Sequence, residues 1–341
     1  MAGRTFATGG PKAAAGAASV NASEREDLAN FISMISRDET PFLSSIGKTK
    51  ATAVLHEWQT DELATPASGA VAEGVSYSTV AGAQAAEPLR TRLGNYTQIN
   101  SKSVTVTGTK RAVDQAGVAD EYAYQLKKRG TELRRDVEFD LVSSWHDSNG
   151  SGTRTFGGYQ AWANAVVVNA GETAAYTAPT TVGIGDAGTI TRGTSDANLG
   201  ELELSHVDQV MQAIYQNGGK ATKLMASPSV RRQFSAKAQA AGTNVRRNID
   251  ESGKLRQSVE IYESDFGDVI VVPNYIMGLG TNADTSVLVY DPMWFNYASL
   301  RPLQEVDLGQ LGDSIIGQLV EEGTLECRNP KGCGLIVGTG V

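Results

Sequence analysis

The sequence predicts an α+β protein that throws out a long arm, and three observations carry that expectation. From Ala64 to Ala86, sixteen of twenty-three residues are Gly, Ala, Ser or Thr, too small to bury much of anything. Flanking stretches at Val54–Trp58 and Ser103–Thr107 alternate apolar and polar residues as strands do. Beyond them, Val118 to His146 repeats apolar residues at helical spacing, and a region of alternating helix and strand signals begins near residue 200.

Taken in order, residues 1 to about 22 are rich in Gly and Ala, show no periodicity and read as an N-terminal arm. Ser23 is placed as an N-cap, with Glu24 and Glu26 in the first turn of a short helix. Leu28, Phe31, Ile32 and Ile35 follow its period, and Pro41 stops it. Ala51–Thr109 then reads as a two-stranded arm. With about twenty residues per side at about 3.3 Å each, it would reach roughly 60 Å. An isolated hairpin in water is marginal, so such an arm calls for cover from another copy of the chain.

Val118, Tyr122, Leu126, Leu133, Val137, Leu141 and Trp145 form one narrow stripe, and eleven of the twenty-nine residues from Val118 to His146 are charged. Lys128 with Glu132, and Arg134 with Glu138, sit at i,i+4 on what reads as a wet face. The expected helix is about 43 Å long at 1.5 Å per residue. Asn164–Asn198 is again rich in Gly, Thr and Ala, and reads as a long loop or a small β insertion.

The α/β region follows. Ser205 is expected to cap a helix carrying Val207, Val210, Met211 and Ile214, ended by Gly218–Gly219. Lys223–Ala226 reads as a strand, and Ser227–Pro228 as the N-cap and first residue of the next helix. Val259–Tyr262 and Val269–Val272 flank Asp265–Asp268, which has hairpin-turn chemistry. Ser286–Tyr290 and Leu319–Cys327 complete the strands. There is no internal repeat.

Composition bounds the function. The 341 residues suit about two domains, 40% are hydrophobic, Gly numbers 37 and the formal net charge is −8. That balance argues against a surface built mainly to hold nucleic-acid phosphates. Basic clusters occur at Lys127–Arg129, Arg134–Arg135, Arg231–Arg232 and Arg246–Arg247, the first two interleaved with acids. No run approaches the length of a membrane span. Ala13–Val20 lacks Leu, Ile and Phe and is read as arm rather than signal peptide. Two cysteines, Cys327 and Cys333, cannot make a four-ligand zinc site, and free thiols in a reducing compartment are expected.

Catalytic patterns are missing. His56, His146 and His206 show no ligand spacing. Gly183–Ile184–Gly185 and Gly278–Leu279–Gly280 lack the strand–loop–helix setting of a dinucleotide site. Asp61–Glu62 and Glu321–Glu322 are sequence neighbours, which a strand sends to opposite faces. Ser264–Asp265–Phe266–Gly267 resembles a kinase metal motif without its companions. Lys48 and Lys50 read as solvated strand-end lysines. The expectation is no catalytic residue, no metal site and no cofactor.

Certain phrases go further when read in order. They are Ser23–Glu24–Arg25–Glu26–Asp27–Leu28, Asp38–Glu39–Thr40–Pro41–Phe42–Leu43 and His56–Glu57–Trp58–Gln59–Thr60–Asp61. Glu132–Leu133–Arg134–Arg135–Asp136–Val137–Glu138, Phe156–Gly157–Gly158, Ser264–Asp265–Phe266–Gly267 and Tyr290–Asp291–Pro292 follow. Leu300–Arg301–Pro302, Gly312–Asp313–Ser314 and Thr324–Leu325–Glu326–Cys327–Arg328–Asn329 complete the set. Together with the order of elements, they make the chain resemble the major capsid proteins of tailed phages, which have the Hong Kong 97-type fold.

The resemblance implies an N-terminal arm at 1–47, an extended loop at 48–109 and a peripheral domain at 110–199. That domain would hold a spine helix at 118–146 and an insertion or elaborated hairpin at 164–198. It further implies a mostly axial domain at 200–300, with strands at 301–341 returning to the peripheral domain. Implied partners are other copies of the chain as pentamers and hexamers, a portal, and a separate scaffold or decoration protein. Packaged DNA would be held inside without sequence-specific binding, with no membrane partner. The implied location is the virion, after assembly in the host cytoplasm, and cohesion between subunits is expected to be non-covalent. Two rival readings stand beside this one: a secreted or surface β-rich adhesin or binding module, and a hydrolase with an unrecognised site.

Overall fold

A computed structural model describes residues 35–63, 90–113, 117–143, 153–163, 165–168, 202–241, 260–279, 286–310 and 312–337, with isolated positions between 66 and 74 and at 115. The expected helix at Ser23, residues Trp145 and His146, the Gly183–Gly185 motif, Arg246–Arg247 and most of Asn164–Asn198 lie outside the described residues.

Two sheets and a ribbon organise the chain. The first sheet has four strands in the order β1 (Gly47–Lys50), β10 (Phe295–Gln310), β11 (Ser314–Cys327) and β4 (Gln98–Thr107). β1 is parallel to β10, and the other pairs are antiparallel. β10 and β11 are long, 16 and 14 residues, and β10 bends through register shifts after Ser299, Arg301 and Asp307. Such shifts raise local twist and spoil an exposed edge for stray pairing.

Helix α3 (Glu121–Ser143), about 35 Å long at 1.5 Å per residue, crosses this sheet and buries Leu133, Val137, Leu141 and Val142. It is preceded by two short helices, α1 (Pro41–Ser45) and α2 (Gly108–Ala112), and followed by α4 (Tyr159–Trp162). The expected start at Val118 is three residues early, because Asp120 accepts the Tyr122 N–H at 2.9 Å and opens the helix there. The i,i+4 pairing on a wet face needs correction as well. Arg129 pairs with Glu132 at i,i+3, and Glu138 is fully buried.

The second sheet has six strands, in the order β5 (Ala165–Val168), β12 (Gly334–Val337), β9 (Val287–Tyr290), β6 (Lys223–Ala226), β8 (Gly267–Pro273) and β7 (Ile261–Ser264). The Val166–Val168 fragment of the expected insertion is thus an edge strand, parallel to β12. Helices α5 (Leu204–Gln216) and α6 (Pro228–Ala241) cover one face, with Val207, Val210, Ile214, Val230 and Phe234 over Leu224, Val269, Val271 and Val289. The cap of α5 is Glu203 rather than Ser205. Its side chain accepts from the helix, and His206 Nδ1 accepts the Glu203 N–H at 3.3 Å in return. Gly218, at φ +77°, ends the helix as expected.

Phe42, Tyr159, Tyr290 and Phe295 join the two sheets, with ring centroids 5.2 to 5.9 Å apart. Ring pairs at such spacings add about 0.5–1.5 kcal/mol each beyond area burial. Tyr159 also donates from its hydroxyl to the carbonyls of Val289 and Gly334.

Candidate assembly surface at the root of the arm

The arm is a two-stranded ribbon, β2 (Leu55–Thr60) with β3 (Thr91–Tyr96), in the register Leu55↔Tyr96 to Thr60↔Thr91. This corrects the expected partner of Val54–Trp58. Ser103–Thr107 lies in β4, hydrogen-bonded to β11 with Val104 and Val106 buried. One residue, Thr97, separates β3 from β4, so the chain passes from ribbon to sheet almost without a loop.

The root of the ribbon is fastened to the body of the same chain. Asn95 is fully buried. Its side-chain oxygen accepts the Gly157 N–H at 2.9 Å, and its Nδ2 donates to the carbonyls of Gly157 and Leu325 at 2.9 and 2.8 Å. Every polar atom of that amide has a partner, as burial requires. Trp58 packs on Trp162 with ring centroids 5.3 Å apart, and Leu93 is buried.

Two acids on one face of β11 complete the anchorage. Glu322 accepts from Thr97 Oγ1 (2.9 Å), Arg154 (2.8 Å) and Arg301 Nε (2.7 Å). Glu326 accepts from His56 Nε2 at 3.1 Å and Arg328 Nε at 2.8 Å. Burial opposes the Glu326 charge, but the His56 and Arg328 bonds hold its carboxyl below the ordinary value. Both acids act through charge-assisted bonds to the arm and its surroundings.

Past Thr60 the support thins. Glu62 reaches Lys331 at 2.6 Å and Asp61 reaches Arg90 at 3.5 Å, but Leu63 is 99% exposed. The chain entering α1 shows the same pattern, with Ile35 97% exposed.

The other residues that invited chemistry are scattered. His56 is in the arm root, His206 caps α5 and His146 lies outside the described residues. Lys48 and Lys50 are exposed on β1. Glu321 and Glu322 face opposite sides of β11, and burial pushes the Glu321 carboxyl up. Cys327 and Cys333 are buried free thiols, and Cys333 Sγ donates to the Asn329 carbonyl at 3.2 Å. Ser264–Gly267 is the β7–β8 turn, closed by Ser264 Oγ on the Gly267 carbonyl at 2.9 Å. Gly278 ends a 3-10 turn.

Among the described residues no group of three or more His, Cys, Asp and Glu is placed to hold a metal ion. No described helix is long and apolar enough to cross a membrane. A cavity of about 240 Å³ lies between α3 and Ile276 and Leu279, but its acids are already engaged, Asp136 by Lys102 and Glu132 by Arg129. Sequence reasoning missed the buried Asn95, Glu322 and Glu326. Glu326 lies inside the phrase Thr324–Asn329 and Glu322 just before it, whereas Asn95 carries no signal in the sequence and meets Gly157 and Leu325 only in the fold.

Comparison with known proteins accounts for this architecture. The chain superimposes on a solved chain of Mycobacterium phage Bobi with a TM-score of 0.57 and 12% identity, covering 93% of this chain and 96% of that one. It superimposes likewise on the mature capsid of bacteriophage PhiM1, with a TM-score of 0.56, 10% identity and 93% coverage of both. The fold is the Hong Kong 97-type capsid fold, and a family model matched over most of the chain sets the class as that of phage major capsid proteins.

Residues 8–340 match the family model of the SU10 major capsid protein, and the chain belongs to that family. A major capsid protein of Escherichia phage Phieco32 is 38% identical over 118 residues, a match spanning 34% of this chain and about a third of that relative's length (32%). The adhesin reading finds no support in these matches.

Proposed function

We propose that many copies of this chain close into the icosahedral or prolate shell of a tailed-phage head, with the genome inside. The observation that carries the reading is the arm: a ribbon with a root of buried polar bonds and a bare apolar residue, Leu63, where it leaves the body. A rigid root fixes the direction in which the arm leaves the body, and Leu63 stands there open to cover by a neighbour. Each copy makes several modest contacts, and closure multiplies them without any single strong one.

On this reading 1–47 is the N-terminal arm and 48–109 holds the extended loop, whose ribbon is β2 with β3 while β1 and β4 at its two ends belong to the four-stranded sheet. Residues 110–199 are the peripheral domain, with the spine helix and the insertion at 164–198, whose first strand β5 pairs with β12. Residues 200–300 form most of the axial domain around five-fold and six-fold axes, and 301–341 return to the peripheral domain except for β12, which pairs with β9 in the six-stranded sheet. The protein is structural, without catalytic activity, and its subunits cohere non-covalently. Assembly takes place in the host cytoplasm with a portal and a separate scaffold or decoration protein. The net charge of −8 suits a wall that confines DNA without gripping it.

Negative-stain microscopy of the purified protein and of the producing lysate tests this. Closed particles of uniform size are expected, dissolving to single chains in SDS. Small discrete oligomers under every condition would overturn the reading.

A further inference from the structure

The six-stranded sheet leaves one face bare at its β7 edge. Helices α5 and α6 cover the other face, over Val269 and Val271, with Phe234 edge-on to Tyr262 at 5.5 Å. Alternation sends Ile261 and Ile270 to the opposite side. There they stand directly across from each other in register, 59% and 50% exposed. The next pair on that face is Glu263 against Asp268, both exposed. Like charges directly opposed on neighbouring strands are destabilising, and neither acid has an ion-pair partner among the described residues. Lys223, the half-buried neighbour of Ile270 on β6, pairs with neither.

The opposite surface of the same unit is basic. Helix α6 buries Val230 and Phe234 on the sheet. At about 100° per residue Arg232 points away from the sheet, and it is exposed, with Arg231 half-buried beside it. Neither arginine has an acid partner among the described residues. One unit thus carries an acidic surface with an apolar centre in front and, behind, two arginines without an acid partner among the described residues. Two different complementary patches on one unit are what a head-to-tail contact needs, and such a contact makes a ring when the rotation between copies closes.

We propose that the β7–β8 face of one copy docks on the α6 face of the next, Glu263 and Asp268 meeting Arg231 and Arg232. Ile261 and Ile270 fill the centre against the aliphatic stems of the arginines. This rests on the shell reading above and names the surfaces that join neighbours within a ring.

Charge exchange tests it. Glu263→Arg with Asp268→Arg, and separately Arg231→Glu with Arg232→Glu, should each lower the yield of rings and shells at least about tenfold, because like charges then face each other. All four changes together should restore the yield to within about threefold of the parent. Thermal melts of the unassembled variants report whether each still folds. Independently, Ile270→Cys with Arg231→Cys, oxidised in assembled particles, should yield a ladder of linked copies. Charge-reversed variants that assemble like the parent would overturn the proposal. So would a cysteine pair that links within one copy or not at all, as cover by residues 242–259 of the same chain or by another protein would produce. A parent chain that forms no closed particle sinks the shell reading itself, whereas parent shells without the ladder sink this contact alone.

Discussion

Glu138 and Asn274 meet at 2.8 Å across 136 residues of sequence, Asn274 Nδ2 donating to a fully buried carboxylate oxygen. The same carboxylate accepts the N–H groups of Phe42 and Leu43 at 2.8 and 2.7 Å, the otherwise unpaired donors at the start of α1. Asn274 in turn accepts the Ile276 N–H at 2.9 Å. One side chain of α3 therefore ties the chain entering the body to the end of β8. Burial pushes the Glu138 carboxyl up from its ordinary value, and the three N–H groups oppose that push.

Removing the acceptor strands three donors in the core. Glu138→Ala should cost about 3–5 kcal/mol, and Asn274→Ala about 1–3 kcal/mol. In a double-mutant cycle by urea unfolding, the two should couple by at least about 0.5 kcal/mol. Additive losses would show that the contact does not join the two segments.

Asp140 sets a pH dependence. Burial raises its carboxyl to about 6, the Gln98 bond at 2.6 Å works against that rise, and nearby Asp136 adds to it. The folded form holds the proton more tightly than the unfolded chain does. This contribution is therefore full below pH about 4 and lost as pH rises through about 6. Asp140→Asn, with its oxygen turned to Gln98, should be about 1–2 kcal/mol more stable than the parent at pH 8. That gain should vanish at pH 4. Melts across that range decide it, and a pH-independent difference would contradict it.

Asn95 is the test of the arm root. Asn95→Ala leaves the Gly157 N–H and the Leu325 carbonyl without the amide that paired them. A loss of about 2–3 kcal/mol is expected in denaturant unfolding. Asn95→Asp should not rescue it, since a carboxylate cannot donate to either carbonyl.

Leu63 separates folding from assembly. Bare in the single chain, it should tolerate Leu63→Asp with a change within about 0.5 kcal/mol in monomer stability. Particle yield should nevertheless fall, as read by sedimentation. Unchanged yield would mean that Leu63 is not covered by a neighbour.

Gly219 marks a close approach of two segments. A Cβ there would lie 2.6 Å from Gly332 Cα and 2.9 Å from Ile214 Cγ2. Gly219→Ala should cost about 1–3 kcal/mol by overpacking. Gly218→Ala, at φ +77° with open space around it, should cost about 1 kcal/mol through backbone strain alone.

How legible this was in the sequence depended on the kind of signal. Helical spacing was readable where the burying partner is a sheet face, so Leu133, Val137 and Leu141 were placed correctly on α3. Glu138 was not, because helical periodicity assigns a carboxylate to the water side. It is buried because α1 and Asn274 bring N–H donors to it. The β7–β8 hairpin was readable from Asp265–Phe266–Gly267–Asp268, where turn chemistry is local. The ribbon is half readable: alternation marks β2, but it also marks Ser103–Thr107, which belongs to the sheet, while the true partner is Thr91–Tyr96.

By itself, then, the amino-acid order determined the local elements, the small-residue arm, the absence of catalytic spacing and the capsid class, since each is written in neighbouring residues or in their succession. Tertiary structure decided which strand pairs with which, and which charges go inside. Pairing depends on edges brought together from distant segments, and a buried acid is tolerated only where the fold delivers donors to it. Asn95 on Gly157 and Glu138 on Phe42 are contacts of that kind, invisible until the chain closes on itself.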